Sequence, residues 1–288
     1  MSTVMVNDPV MRLTAEHAAA IGMAVTAMRA ESDYPFTVET LAEISNFSLF
    51  HFARLFRSLI GIPPGEFLTA LRYDRAKELL LTTDLSVTDI CFEVGYDSLG
   101  TFSSRFKQLV GVGPAGFRAL PEVLDTLTID ASAAASSIPP EQGNRATIRG
   151  HIVNPPTGAH AYVGIFPASI ARGYPVAGAR VAANTPFILP NLPRGKFRLL
   201  CAAVSASTST RSHLLPGADL RVASHPEIIS IETGKEVFDL PLLMRPLHAH
   251  EPPVLIALPA LDLRCLQGRS DRLPRSQQSV LKMLATGD

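Results

Sequence analysis

The sequence predicts a multidomain α + β protein in which an all-α tandem helix-turn-helix domain is followed by an all-β sandwich domain. Helix-period apolar patterns with few prolines occupy residues 10–120, whereas short runs rich in Val, Ile and Phe, separated by Pro and Gly, fill residues 145–250. The stretch between them, residues 121–144, is polar and contains prolines, as linkers do. Residues 251–288 comprise an apolar segment followed by a polar tail.

The composition limits the classes of protein to consider. A chain of 288 residues is long enough for two domains with separate cores. Its 26 basic and 26 acidic residues cancel, so no global charge favours nucleic acid or an acidic substrate. The cysteines are widely spaced and form no CxxC pair, which argues against a disulfide framework or a cysteine zinc site. We see no signal peptide and no stretch long enough to span a bilayer, so we expect a cytoplasmic protein with no membrane partner.

An internal repeat dominates the helical region. Residues 52–67 and 102–117 align without a gap at a constant offset of fifty residues. The matched positions are Phe52 and Phe102, Phe56 and Phe106, Arg57 and Lys107, Leu59 and Leu109, Gly61 and Gly111, Pro64 and Pro114, and Phe67 and Phe117. A repeat of this kind indicates one supersecondary unit used twice.

Each copy of the repeat has the pattern of one helix followed by the start of another. Phe52, Phe56 and Leu59 are spaced at i, i+4 and i+7, so we expect them to form one buried stripe. Gly61 is expected to end this helix as a C-cap, and Pro64 to begin the next one.

A shorter helix is expected before each copy. Thr37 can cap a helix over residues 37–45, and Ser86 and Asp89 have the spacing of a capping box before the second copy. Gly95 can adopt the left-handed geometry that ends a helix abruptly, so that the next helix begins at a steep angle. Two short helices joined by a tight turn make a helix-turn-helix.

A longer helix over residues 68–83 joins the two units. Its apolar side is formed by Leu68, Leu71, Ala76, Leu79 and Leu80. We expect this helix to fix the separation of the two units, and DNA presents successive major-groove faces about 34 Å apart. One chain can then do what a dimer of single helix-turn-helix units does.

The spaced residues of this region resemble the AraC/XylS family of bacterial transcription regulators. The positions that carry the resemblance are Ser48, Arg54, Phe56, Gly61, Pro64, Arg72, Ala76, Leu79, Leu80, Ile90, Gly95, Tyr96, Phe102, Phe106, Lys107, Gly111, Pro114, Phe117 and Arg118. The resemblance implies a sequence-specific regulator whose partner is double-stranded DNA, and RNA polymerase as well if the protein activates transcription.

The resemblance also implies which side chains face DNA. In similar proteins the positions that face base edges correspond here to Phe50, Ala53, Arg54, Leu99, Gly100, Thr101 and Ser104. Arg57, Ser103 and Lys107 share the helix faces opposite the buried phenylalanines. We expect Arg57 and Lys107 to contact phosphates or to pair with neighbouring carboxylates.

The chemistry of these side chains differs between the two units. Arg54 is the best candidate for a specific contact, because a guanidinium can bind O6 and N7 of guanine bidentately. Phe50 can contact a thymine methyl group, and Thr101 and Ser104 can donate to bases or phosphates. Since Leu99 and Gly100 are poor hydrogen-bonding residues and Ser104 is short, we expect the second unit to discriminate bases less than the first.

The second domain resembles the carboxypeptidase regulatory-like domain, a small prealbumin-like β-sandwich. Phe187, Leu192, Gly195 and Phe197 fill its signature, whereas the pair 185–186 (Thr-Pro) replaces the usual glycine turn. Such domains usually have no catalytic centre, and the rest of the sequence shows no nucleophile motif. We therefore expect no enzyme, no catalytic residues and no cofactor.

Three features of the second domain leave alternatives open. His248, His250 and Glu251 can form a metal site, but surface histidines are the better interpretation, so no metal is expected. The apolar segment 251–261 can pack across the sandwich or form a dimer contact. The basic residues can hold an anionic small-molecule effector or be solvated: Arg172, Arg180, Arg194, Lys196, Arg198 and Arg211.

The sequence thus predicts a DNA-binding regulator that is modulated by its β-sandwich through a ligand, a homodimer or a protein partner. The competing interpretation is a β-sandwich that binds a ligand or partner as a scaffold, with a helical domain that is a non-specific or degenerate tether to DNA or to another protein.

Overall fold

The computed structural model of the protein describes residues 14–32, 34, 36–126, 146–167, 172–182, 184–205, 210–217, 219–232, 237–259 and 261. Most of the predicted linker and the predicted tail beyond residue 261 lie outside the described residues. The chain divides into two compact units, residues 1–71 and residues 72–288. The division falls within one helix, and each unit is described by itself.

The helices that begin within residues 37–114 start close to the predicted residues, whereas no bounds were predicted for the helices before and after them. They are α1 (Ala15–Ala30), α2 (Val38–Ile44), α3 (Leu49–Ile60), α4 (Pro64–Thr82), α5 (Val87–Glu93), α6 (Leu99–Val110), α7 (Pro114–Thr126) and α8 (Thr210–Leu214). Pro64 and Pro114 begin α4 and α7, as predicted, because proline lacks only an N–H that the first helical turn leaves unbonded.

The first unit packs α1, α2 and α3 around one core. Thr37 caps α2 by accepting a hydrogen bond from the Thr40 N–H, and Gly61 ends α3 with a φ of 89°, as predicted. Phe52 and Phe56 are fully buried, but Leu59 is only half-buried, so its predicted place in the buried stripe is wrong. Leu55, three residues after Phe52, is fully buried beside the two phenylalanines instead, whereas Leu59 lies in the last turn of the helix.

In the second unit α5 and α6 form the predicted helix-turn-helix. The capping box of Ser86 and Asp89 is present, and Gly95 follows α5 with a φ of 79°. Cys91 is buried, and burial raises the pKa of its thiol, as expected for a packed core cysteine. Arg118 of α7 donates to the backbone oxygens of Leu80 and Leu85, which ties α7 to the end of α4.

Helix α7 extends into the predicted linker. The linker was predicted to begin at residue 121, but α7 continues to Thr126 with Pro121 inside it. Val123 and Leu124 are buried, and continuing the apolar face of the helix offsets the backbone hydrogen bond that Pro121 cannot make.

The residues from 146 onward form β-strands. They are β1 (Ala146–Gly150), β2 (Ile152–Val153), β3 (His160–Phe166), β4 (Ala177–Ala182), β5 (Phe187–Leu192), β6 (Gly195–Val204), β7 (Arg221–Ser224), β8 (Ile229–Ile231), β9 (Val237–Asp239), β10 (Leu242–Leu243) and β11 (Arg245–Pro246). The apolar runs predicted as strands all contain one, whereas α8, β7 and β11 were not predicted. Their sequences are short and contain arginine, so they lack a clear apolar pattern.

The strands make two packed layers. One sheet has the order β5-β1-β9, and the larger sheet has the order β11-β7-β6-β3-β4, with β8 pairing with β6 outside that path. Ile148 and Leu189 from the first sheet share a core with Val163, Ile165 and Leu199 from the larger sheet. Since alternate residues of a strand face opposite sides, this core is the interior of the predicted β-sandwich.

The turn that begins β6 explains the predicted signature. Phe187, Leu192 and Phe197 are buried in the core. Gly195 has a φ of 145°, and a Cβ placed on it would lie 2.9 Å from the Phe197 ring. Only glycine fits this turn without moving the aromatic side chain.

The apolar segment after the last strand covers the outer face of the larger sheet. Ile256 and Leu258 are buried against Tyr162, Phe166 and Val204. Of the two roles predicted for residues 251–261, packing across the sandwich is therefore confirmed.

Candidate nucleic-acid interface

Helix α3 presents one exposed face opposite its buried phenylalanines. Phe50 is 85% exposed, although it is a large apolar residue at the start of a helix. Arg54 and Arg57 are exposed on the same face, and Ala53 is half-buried beside them. Positions 50, 53, 54 and 57 follow helical spacing, so the fold brings all four predicted residues of the first unit together.

The two arginines of α3 have no side-chain partner within the described part of the chain. No hydrogen bond or ion pair holds the guanidinium group of Arg54 or Arg57 there. Both cations therefore extend from the helix with their donors available to an external acceptor. This arrangement suits the planar, bidentate binding of a guanine edge or a phosphate.

Helix α6 presents the corresponding face in the second unit. Ser98 caps the helix by accepting a hydrogen bond from the Thr101 N–H at 3.4 Å. Leu99 is 40% exposed. The other predicted residues of this helix are exposed, except Ser103, which is half-buried: Gly100, Thr101, Ser103, Ser104 and Lys107.

The exposed face of α6 carries smaller side chains than that of α3 at its first turn, where Gly100 stands at the position of Phe50. A Cβ placed on Gly100 would meet no atom within 4 Å in the described structure. Thr101 and Ser104 offer hydroxyl groups on this face, and Lys107 and the neighbouring Arg105 are exposed cations of the same helix. The weaker base discrimination expected of the second unit stays a prediction.

The same aromatic packing supports both helices. The ring centroids of Phe52 and Phe56 are 5.6 Å apart, and those of Phe56 and Phe67 are 5.7 Å apart. The fifty-residue counterparts, Phe102–Phe106 and Phe106–Phe117, are separated by 5.9 and 5.7 Å. The repeat in the sequence is therefore a repeat in the packing that orients each exposed face.

One supporting residue was missed from the sequence. Tyr73 of α4 is fully buried, stacks on Phe102 with an interplanar angle of 13°, and donates its hydroxyl hydrogen to the Phe102 backbone oxygen. Burial raises the pKa of Tyr73 far above its usual range, so it remains a neutral donor. Its spacing of three and seven residues from Ala76 and Leu80 was the signal that places it on the buried side.

Two of the basic residues of the β-sandwich lie well apart along its strands. Arg180 of β4 pairs in register with Tyr162, whereas Arg198 of β6 pairs with Phe166. These partners are four residues apart on β3, which corresponds to about 13 Å along the strand. Arg180 and Arg198 therefore do not hold one small anion together.

Glu251, one of the residues that could form a metal site, is hydrogen-bonded to an arginine in the structure. Glu251 accepts two hydrogen bonds from the Arg245 guanidinium, at 2.6 and 2.5 Å, and one from the His248 N–H. Burial opposes ionisation of Glu251, but these hydrogen bonds outweigh it and hold its pKa below the usual range. In the described ranges no group of three or more His, Cys, Asp or Glu side chains could hold a metal ion.

Neither a reactive cysteine nor a membrane-crossing helix occurs in the residues described here. Cys201 is buried in the sandwich core, and burial raises the pKa of its thiol to about 12. No described helix combines the length and the apolar character that crossing a bilayer requires.

Comparisons with known proteins agree with the geometry of the helical region. A family described as "Helix-turn-helix domain" matches residues 41–119. The HTH-type transcriptional activator AarP of Providencia stuartii is 34% identical over 82 residues, which cover 28% of this chain and 61% of AarP. The probable transcription factor PqrA of Proteus vulgaris is 33% identical over 89 residues, covering 31% of this chain and 73% of PqrA.

Among solved structures, the DNA-binding domain of AdpA in complex with a target DNA is 31% identical. The match covers 36% of this chain and 95% of that chain, with a TM-score of 0.35. The chain spans 61% of the length of AarP and 33% of the second curated relative, an HTH-type regulator of Haemophilus influenzae.

Proposed function

Because the chain belongs to the AraC/XylS family of bacterial transcription regulators, we propose that it is a sequence-specific regulator that binds two adjacent major-groove segments of DNA through α3 and α6. The observation that carries the proposal is the pair of exposed faces on two helices related by the repeat. Both faces lie on the side of the helix opposite a buried phenylalanine pair, which is where a helix-turn-helix contacts base edges.

The first segment supplies most of the sequence preference in this proposal. Arg54 binds a guanine edge, Phe50 contacts a thymine methyl group and Ala53 allows close approach. Arg57 contacts a phosphate and fixes the register of α3 on the duplex.

The second segment adds affinity and a smaller preference. Thr101 and Ser104 donate hydrogen bonds to bases or phosphates, and Ser103 lies at the edge of the same face. Leu99 and Gly100 permit the helix to approach the groove closely. Lys107 contacts a phosphate, so its contribution is the same for every sequence.

The β-sandwich is proposed to modulate this binding and to have no catalytic activity. A small-molecule ligand, self-association or a protein partner would each act through this domain, and RNA polymerase is the partner if the protein activates transcription. With DNA as its target, the protein is proposed to act in the cytoplasm.

A scaffold function is favoured by one observation, the balanced charge of the chain. With 26 basic and 26 acidic residues, the chain has no broad positive field that would itself hold it on DNA. In that case the function would lie in what the β-sandwich binds, and the helical domain would be a weak or degenerate tether to DNA or to another protein.

Selection from a pool of random duplexes separates the two functions. The purified full chain is incubated with the pool at moderate salt and with excess scrambled competitor, and the bound duplexes are sequenced. The regulator predicts enrichment of one sequence whose binding survives competitor and weakens steeply with salt. A pool that stays random, with salt-sensitive binding to every duplex, would support the tether instead.

A further inference from the structure

The two copies of the repeat differ at the C-terminal end of the exposed helix. At the end of α3, Leu59 and Ile60 are half-buried and Gly61 is exposed. The fifty-residue counterparts at the end of α6, Leu109, Val110 and Gly111, are all buried. The sequence at this point is similar in both copies, so the difference comes from what covers α6.

Backbone groups of the β-sandwich region cover the end of α6. The Gly173 N–H donates to the Leu109 oxygen at 2.9 Å, and the Ala257 N–H donates to the Val110 oxygen at 3.0 Å. These two carbonyls lie in the last turn of the helix, where no intrahelical donor remains for them. A Cβ placed on Gly111 would lie 3.4 Å from the Tyr174 ring, whereas one placed on Gly61 would meet nothing within 4 Å in the described structure.

A buried lysine holds the same segment on α4. The side chain of Lys77 is fully buried, and its Nζ donates to the Val254 oxygen at 3.1 Å, with Asp74 Oδ1 at 3.7 Å. Lysine is almost never fully buried unless its charge is paired. Burial lowers the pKa of Lys77, and Asp74 opposes that change. We call Gly173, Tyr174 and residues 254–257, with Lys77, the clasp.

The clasp is also fixed to the sandwich. Ile256 is buried against Tyr162 and Phe166 on the outer face of the larger sheet. Residues 254–257 therefore contact the sandwich through their side chains, α4 through the Val254 oxygen and α6 through the Ala257 N–H. Because residues 254–257 contact both, a displacement of the outer face of the sheet would also move the end of α6.

We propose that the clasp makes the β-sandwich the positioning element of α6, so that a change in the sandwich alters recognition of the second DNA segment and leaves recognition of the first unchanged. This proposal rests on the proposed function and specifies how its regulation acts. The clasp residues are positioning residues, because they act through α6 and not through contact with DNA.

The Gly173→Ala variant opens the clasp. Gly173 has a φ of 58°, and its added Cβ would lie 2.6 Å from the Gln108 oxygen, so the loop must move away from α6. Gly158→Ala is the matched control, because Gly158 has a φ of 67° but its Cβ would meet nothing within 4 Å in the described structure. Both variants carry the strain of a left-handed alanine in the β-sandwich region, and only the first disturbs α6.

A second variant removes a different contact of the clasp. Lys77→Met retains the length and apolar stem of the side chain but cannot donate to the Val254 oxygen. Lys196→Met, at an exposed position of β6, controls for the loss of one positive charge. Urea unfolding of all four variants identifies any that fails to fold.

The measurement is the dissociation constant of each full-chain variant for three duplexes: the selected one, one with the first segment scrambled and one with the second segment scrambled. For wild type and both controls, scrambling the second segment weakens binding. For Gly173→Ala and Lys77→Met we expect that penalty to shrink by about tenfold, the effect of losing one or two hydrogen bonds at a helix end. The penalty for scrambling the first segment should stay the same.

Three results would overturn the proposal. If Gly173→Ala and Lys77→Met keep the full penalty for the second segment, the clasp does not position α6, although the protein is still a sequence-specific regulator. If both penalties shrink equally, the variants act on folding as a whole. If wild type itself shows no penalty for scrambling either segment, the proposed function fails and the positioning role fails with it.

Discussion

Arg54 is the side chain on which sequence preference depends in the proposed function. It is exposed on α3, and within the residues described it makes no ion pair or side-chain hydrogen bond. Its five donors therefore do not have to leave an internal partner before they bind a guanine edge. A contact of this kind should make binding affinity depend on the identity of one base pair and leave it independent of the others.

We expect Arg54→Ala to cost about 1–3 kcal/mol of binding free energy at one base pair of the selected duplex and to relax the preference at that position. The measurement is the affinity of wild type and variant for duplexes that carry each base at each position. An equal loss on selected and scrambled duplexes would show that Arg54 contacts only the phosphate backbone.

Lys107 should behave differently, because a phosphate contact carries no sequence information. We expect Lys107→Ala to weaken binding to all duplexes alike and to lower the salt slope of log K by about 1. Titrations at several salt concentrations on selected and scrambled duplexes measure both effects. A loss restricted to the selected duplex would assign Lys107 to a base instead.

Glu251 allows a test of the β-sandwich that does not involve DNA. In the folded state the pKa of Glu251 is held below its ordinary value of 4.5. The ionised carboxylate therefore stabilises the fold at pH values above 4.5. This stabilisation is lost as the pH falls through the lower pKa of the folded state. We expect Glu251→Gln to be less stable than wild type near neutral pH and the difference to shrink in acid. Urea midpoints between pH 3 and pH 7 test this, and a difference that does not depend on pH would contradict it.

Much of what the sequence could predict about individual helices concerns where each helix begins and ends. Capping by Thr37 and Ser86 and the left-handed glycines Gly61, Gly95 and Gly111 depend on neighbours in the chain, and each was found as predicted. The predicted strands were found for the same reason, since alternation of apolar residues is local.

Features that depend on distant residues could not be predicted in this way. Leu109 is buried and its backbone oxygen accepts a hydrogen bond from Gly173, which lies far along the chain, whereas its counterpart Leu59 is half-buried. Helix α7 passes Pro121 because tertiary packing buries Val123 and Leu124. The exposed faces of α3 and α6 were predictable because the buried phenylalanine stripe determines the opposite side of a helix.

Two glycines near the end of α3, Gly61 and Gly65, should change the free energy of unfolding in opposite directions when each is replaced by alanine. Gly61→Ala should lower the free energy of unfolding by about 1–2 kcal/mol, because its φ of 89° strains any residue with a Cβ. Gly65→Ala, in the first turn of α4 with nothing within 4 Å of its Cβ in the described structure, should raise it by up to about 1 kcal/mol. Urea unfolding of both variants measures the difference, and an equal effect of the two substitutions would contradict the left-handed assignment.

For the whole molecule, the neutral net charge makes local placement decisive. Without a broad positive field, DNA affinity has to come from the few cations and hydroxyl groups on α3 and α6. In the proposed function the β-sandwich acts through the clasp on α6, so that a ligand or partner of the sandwich would alter one of the two helices proposed to bind DNA.

Hydroxyl-radical footprinting of the full chain on its selected duplex measures whether α3 and α6 bind two DNA segments. We expect two protected patches about one helical turn apart, with Arg54→Ala weakening one patch and Ser104→Ala weakening the other. A single continuous patch that both substitutions weaken equally, or no protection that resists competitor DNA, would show that the two helices do not bind separate segments.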